Sequence, residues 1–208
     1  MFQWPSTFLN AISLRRVFRS FFLRLIIIFL PFILNSCDSY QFISDTFARP
    51  IVLKCPDYLV PAEAASLSKF QSESSYDLVD IKFDVKIEKV LLGCISNIDR
   101  KTKLGNMEVD VNLGLSSSLG PANPDRKIKF EYFVSVVSPD QEILDQKTIP
   151  ITINFPSNKS NVNYLSNPVY VTLQIKTDKP VGYYRIFVGL KLTKAEVRYN
   201  RNRIMNQR

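Results

Sequence analysis

From residue 78 onward, apolar and polar residues alternate with a period of two, the signature of strands that bury one face. Val79, Ile81, Phe83, Val85 and Ile87 share one side of the first such strand, and Asp80, Lys82, Asp84, Lys86 and Glu88 share the other. The phase slips near Lys89, where Val90 and Leu92 take up the opposite parity, so a bulge is expected before Gly93. Met107, Val109, Val111, Leu113 and Leu115 carry the next strand, with Glu108, Asp110 and Asn112 outside, an acidic row expected across from Lys82 and Lys86. A third strand runs Ile128, Phe130, Tyr132, Val134, Val136 into Ser138-Pro139-Asp140-Gln141, where proline is pre-set for the second position of a type I turn. Its hairpin partner presents Ile149, Ile151, Ile153 and Phe155, and Pro150, which cannot donate to a ladder, points to a sheet edge.

Residues 156 to 168, rich in Asn, Ser and Pro, read as a long exposed loop. Strands are expected from Val169 to Ile175 and from Gly182 to Leu192, separated by Thr177-Asp178-Lys179-Pro180. Ahead of the alternating region, Ile51 to Leu53 suits a short strand, and Pro61 to Phe70, with its alanines and leading proline, suits a short helix. Thr193-Lys194-Ala195-Glu196 is a capping-box pattern that starts a second helix, and the basic run from Val197 to Arg203 fits either helix or a frayed end. About seven alternating strands joined by short turns predict a mainly β fold, an antiparallel two-sheet sandwich of immunoglobulin-like shape, with a partly open barrel as the second choice. The immunoglobulin pairing of two cysteines around a core tryptophan is missing, because the single tryptophan is Trp4.

The first 36 residues follow a different logic. Arg15, Arg16, Arg19 and Arg24 precede an uncharged run, Leu25 to Leu34, and small or polar residues follow it, the layout of a secretory signal. The run is half the length of a spanning helix, although a retained signal-anchor with Arg24 snorkelling fits the same residues. Leu34-Asn35-Ser36-Cys37 resembles the lipobox of bacterial lipoproteins, with Asn35 atypical at its middle place. The resemblance implies cleavage before Cys37 and its acylation, and two or three chains make a membrane attachment stable where one does not. An ordinary cleaved signal with a chance cysteine is the alternative. The chain then divides into a signal peptide (1–36), a lipidated N-terminus and spacer (37–49), a β-sandwich (50–193) and a basic C-terminal helix or tail (194–208).

Setting Cys37 aside leaves Cys55 and Cys94, an even number in a compartment where disulfides persist, and they are expected to pair; two buried free thiols are the alternative. The net charge of +8 dissolves on inspection: four arginines lie in the leader, the stretch from Lys191 carries +5, and residues 38 to 190 hold 17 basic against 18 acidic groups. Such a body lacks the broad footprint of a nucleic-acid binder. The chain has no histidine, which removes His-based triads and histidine metal sites, and its six glycines form no phosphate loop. Asp80, Asp84 and Glu88 stand at strand spacing among lysines, as surface carboxylates do. No metal or other cofactor is expected.

The remaining candidates are aromatic. Tyr170, Tyr183, Phe187 and Phe133 fall on outer faces of their strands, with Arg185 between Tyr183 and Phe187, a composition suited to a protein or glycan contact surface. Cover by the long loop or the C-terminal helix is the competing reading. Cys55-Pro56, Asp77-Leu78-Val79-Asp80, Tyr132-Phe133-Val134, Phe155-Pro156 with Asn158, Val188-Gly189-Leu190 with Leu192-Thr193, and Tyr199-Asn200-Arg201 are similar to segments of an uncharacterised family of alphaproteobacterial envelope lipoproteins. That resemblance implies a periplasm-facing lipoprotein with a Cys55–Cys94 pair, and no activity. The expectation is a non-enzymatic lipoprotein, anchored to the inner or outer membrane, that binds another envelope protein. A carboxylate-based glycan or peptidoglycan enzyme and a carrier of apolar ligands are the alternatives.

Overall fold

The computed structural model describes residues 53–72 and 76–206. The leader, Cys37, the spacer, and Ile51 and Val52 of the expected first strand lie outside these residues. Among the described residues, nine strands form two packed sheets, joined by three short 3₁₀ turns and closed by one helix. Strands β1 (Asp57–Leu59), β5 (Lys127–Val137), β6 (Ile143–Asn154) and β9 (Arg185–Leu190) make sheet A in the order β1-β9-β5-β6. Strands β2 (Ser66–Phe70), β3 (Ile81–Ile98), β4 (Gly105–Leu119), β7 (Asn161–Leu165) and β8 (Val169–Ile175) make sheet B, in which β7 and β8 share the far side of β4. The fold is therefore the expected two-sheet sandwich, with nine described strands where about seven were expected and with β1 pairing β9 in parallel.

The alternating residues meet where period two directs them. Met107, Val109, Val111 and Leu113 of β4 are buried, as are Tyr132 and Val134 of β5 and Ile186, Val188 and Leu190 of β9. Filling this interlayer is the main stabilising term, at roughly 1.5–3 kcal/mol for each fully buried aliphatic side chain. The expected bulge appears as a register shift between Ile87 and Lys89. Pro150 lies on β6, an edge strand, opposite Glu131. The turn after β5 closes with Gln141 N–H donating to Ser138 O at 3.0 Å, Gln141 taking φ +64°.

Several expectations are corrected. The β3–β4 hairpin continues to Ile98, which moves its register, so Glu108, Asp110 and Asn112 face Ile95, Gly93 and Leu91 in place of the lysines, and Lys86 faces Ser116. Val79 is exposed, in a 3₁₀ turn (Leu78–Asp80). The expected helix at Pro61–Phe70 is a single 3₁₀ turn, Ala62–Ala64, followed by β2, because Ser66 to Phe70 gain a partner in β3 and bury Leu67. Pairing outweighs the alanines' helix propensity, a few tenths of a kcal/mol per residue. The first described strand is Asp57–Leu59, and Leu53 is not in a strand. Within the expected 156–168 loop, β7 pairs with Ser118–Gly114 and turns Val162 and Tyr164 toward the core. The strand expected from Gly182 starts at Arg185, after a 3₁₀ turn over Val181–Tyr183.

Between β7 and β8 the ladder on β4 is bridged by Ser166. Its backbone N–H donates to Leu113 O at 2.9 Å, and its hydroxyl accepts from Leu113 N–H at 2.9 Å. The C-terminal residues form α1 (Lys194–Met205), capped by the Thr193–Glu196 box. Buried Asn200 donates from Nδ2 to Glu63 O and Ser66 O, both at 2.7 Å, and Tyr199 stacks on Tyr76 at 5.1 Å. Lys69 reaches Glu196 at 2.9 Å. The basic C-terminus is therefore a docked helix, and its Asn200 holds the chain segment that crosses from sheet A to sheet B.

Candidate contact groove on sheet A

Because β5 and β9 are neighbours, the residues between their core positions collect on one outer surface. Phe133, Ser135 and Val137 of β5 stand opposite Gly189, Phe187 and Arg185 of β9. The β5–β6 turn adds Ser138, Pro139 and Gln141, and the turn before β9 adds Tyr183. Together they form an open groove of about 640 Å³. Of the aromatic residues read from the sequence, Phe133, Tyr183 and Phe187, with Arg185, are brought together here. Tyr170 is not. It is exposed on β8 of the other sheet, where its carbonyl accepts from Lys147 Nζ at 2.5 Å. The contact surface expected to include Tyr170 is thus smaller than the sequence suggested, since strand parity gives a face but not which sheet the face belongs to.

Gly189 explains part of the geometry. A Cβ placed there would lie 2.7 Å from Ala64 Cβ and 2.8 Å from the Phe133 ring, so the glycine lets the crossing segment and the ring close over β9. Ala64, on the segment held through Asn200, therefore lies over this end of the surface. Phe133 and Phe187 stay half-buried.

Arg185 is exposed and its guanidinium has no hydrogen-bond or ion-pair partner among the described residues. Asp57, opposite it in register, is held by Lys54 at 3.2 Å. Lys179 lies 5.4 Å over the Tyr183 ring, whose other neighbour is Tyr184, edge-to-face at 5.2 Å. Burial raises the Tyr184 pKa, with Tyr183 and Asp178 adding to it, and its hydroxyl donates to Gln174 O at 2.5 Å. A phenol kept protonated and already bonded is a structural group. Aromatic walls beside the exposed Arg185 guanidinium, with the Asp57 carboxylate of the same lining already held by Lys54, suit a planar anion flanked by apolar surface, such as a carboxylate on a peptide. Ser135, Gln141 and Ile143 are also in the lining. Sequence reading missed them, although the predicted Ser138–Gln141 turn had put Gln141 at the end of β5.

The disulfide joins Cys55 to Cys94, fastening the segment ahead of β1 to β3. The carboxylates weighed for catalysis are elsewhere: Glu88 is engaged by Lys86 at 3.3 Å and Ser116 at 2.8 Å, and Asp84 lies on β3 opposite Ser118. Among the described residues, no three His, Cys, Asp or Glu side chains converge as a metal site would require. No protein-family model, curated protein or solved structure matches the chain.

Proposed function

We propose that the chain is a lipoprotein acylated at Cys37, held on the inner or outer membrane facing the periplasm, and that its sandwich is a non-enzymatic module that docks another envelope protein in the groove of Phe133, Tyr183, Arg185 and Phe187. The observation that carries the binding reading is Arg185, a cation without a partner among the described residues, between two aromatic side chains in a concave surface. Buried aromatic and arginine anchors dominate the energetics of protein interfaces. The address rests on the lipobox-like Leu34-Asn35-Ser36-Cys37 and the charged, apolar leader before it.

Photo-crosslinking tests the reading. A crosslinkable residue placed at Phe187 should trap one stoichiometric envelope protein, and Arg185→Glu should abolish the adduct. Equal labelling from an exposed position on sheet B, such as Thr172, would count against the groove. Cys37→Ala should remove the acyl mass and release the protein from membranes; unchanged detergent partitioning refutes the anchor.

A further inference from the structure

We propose that the end of the sandwich where the chain enters is a docking face for an anionic phospholipid bilayer, centred on a second groove beside the disulfide. This rests on the tether reading above. The groove, of about 620 Å³, is lined by apolar side chains including Leu53, Ile98 and Val181, and by Lys103 and Lys176 at its rim. It lies between two turns that project side by side, since Gly105 and Ile175 are paired at their bases.

Both turns are built to hold cations outward. In the first, the Asp99 carboxylate accepts from Lys101 N–H at 3.0 Å, Thr102 N–H at 2.7 Å and Thr102 Oγ1 at 2.9 Å. The acid of this turn is thereby spent on its backbone, and the side chains of Arg100 and Lys103 have no partner among the described residues. In the second, Lys176 and Lys179 exchange backbone hydrogen bonds at 3.1 Å, and the Lys176 ammonium has no partner among the described residues. Leu104, beside these charges, is 42% exposed. Of the acidic residues at this end, Asp57 is in the groove lining but is held by Lys54 at 3.2 Å, Asp178 sits on the second turn, and Asp140 and Glu142 sit on the β5–β6 turn outside this groove.

The position of the chain selects the occupant. Leu53, the first described residue, is in the groove wall, and only the 15 residues 38–52 separate it from Cys37. Such a segment reaches about 50 Å when fully extended, so an acylated Cys37 keeps this end within reach of the headgroups at high effective concentration. Free cations around exposed apolar side chains then meet the two features of an anionic bilayer surface, phosphate and the upper acyl region. Each cation near such a surface strengthens binding about fivefold, so Arg100, Lys103 and Lys176 together contribute roughly a hundredfold.

The test uses the acylated chain in nanodiscs of phosphatidylglycerol with phosphatidylcholine, or of phosphatidylcholine alone. Amide exchange across residues 100–104 and 176–179 should slow at least several-fold in the anionic discs only, and Arg100→Glu/Lys103→Glu/Lys176→Glu should restore the zwitterionic rates with an unchanged melting temperature. Equal exchange in both bilayers overturns the proposal. So does protection by polyglutamate in solution without protection by the bilayer, which assigns the face to an acidic protein. The mass of the residue-37 peptide reports the tether separately. If it carries no lipid, flotation of the same chain with preformed vesicles decides the face alone: retention by phosphatidylglycerol vesicles supports it, and loss from them overturns it.

Discussion

The two faces of β5 and β9 are made by the same strands, one residue apart, yet they do different work. Inward, Tyr132, Val134, Ile186, Val188 and Leu190 are at most 1% exposed and close against sheet B. Outward, Phe133, Phe187 and Arg185 meet only a partial cover from the Ala64 segment and leave a groove. A core position is satisfied by many neighbours and specifies the fold. An outward aromatic with few neighbours adds little to stability and is available for contact.

The largest expected effect comes from the covalent link that holds β1 at the rim of that groove. Cys55→Ala with Cys94→Ala opens a loop spanning 39 residues and should cost about 4 kcal/mol in the chain-entropy account, measured by denaturant unfolding. If stability changes by less than about 1 kcal/mol, the segment leading into β1 is held by its other contacts. Next, Ile186→Ala and Phe187→Ala set the two faces against each other at adjacent positions. The inward truncation should cost about 3 kcal/mol through lost burial and a cavity, the outward one about 1 kcal/mol or less. Equal costs would erase the distinction between the faces.

The cover itself is open to attack from a distance. Asn200→Ala leaves the Glu63 and Ser66 carbonyls without their side-chain donor, at a cost of about 1–3 kcal/mol. Because these bonds hold the segment carrying Ala64, the change should also speed hydrogen exchange across residues 61–66 and make Phe133 more accessible. Arg185→Ala should leave stability within about 0.5 kcal/mol, as for an exposed side chain, while weakening capture of the partner protein. Loss of stability without loss of capture would make Arg185 a packing residue.

The same division explains what the sequence disclosed. Wherever apolar residues alternate with charged ones, as from Ile81 to Ile87 and Val169 to Ile175, parity alone placed the core, because only one register buries the apolar set. It failed where tertiary pairing overruled composition. Ser66 to Phe70 follow helix-favouring alanines but pair with β3, and Asn161-Val162-Asn163-Tyr164 alternate correctly behind asparagines that argue for a loop. Of the candidate surface, parity identified Phe133, Arg185 and Phe187 as outward but also admitted Tyr170, because which strands are neighbours is decided by long-range pairing. The cover by Ala64 was not legible, since it depends on Gly189 and on an asparagine more than 130 residues along the chain from the carbonyls it holds.

The smallest effect is expected at the one polar atom buried in the inner face of β5. The Tyr132 hydroxyl has no hydrogen bond of ordinary geometry among the described residues, although Ser166 and Tyr164 lie close. Ser166 already accepts from Leu113 and donates to Asn167 O at 3.0 Å, so its capacity is largely used within the β7–β8 junction. Removing an unsatisfied buried hydroxyl while keeping the ring should be neutral or stabilising by up to about 1 kcal/mol, so Tyr132→Phe separates the value of the ring from that of its oxygen. Burial, reinforced by Tyr164 and opposed by Ser166, holds the phenol's pKa above its ordinary value. A raised folded pKa stabilises the protein fully below the ordinary phenol value, and that contribution is lost as pH rises through the raised one. Urea titrations from pH 8 to 11 should therefore show a shallower alkaline loss of stability in Tyr132→Phe than in the unaltered chain. A destabilisation above 1 kcal/mol at pH 7 would mean instead that the hydroxyl is bonded in solution, and that the inner face holds a polar contact as well as apolar ones.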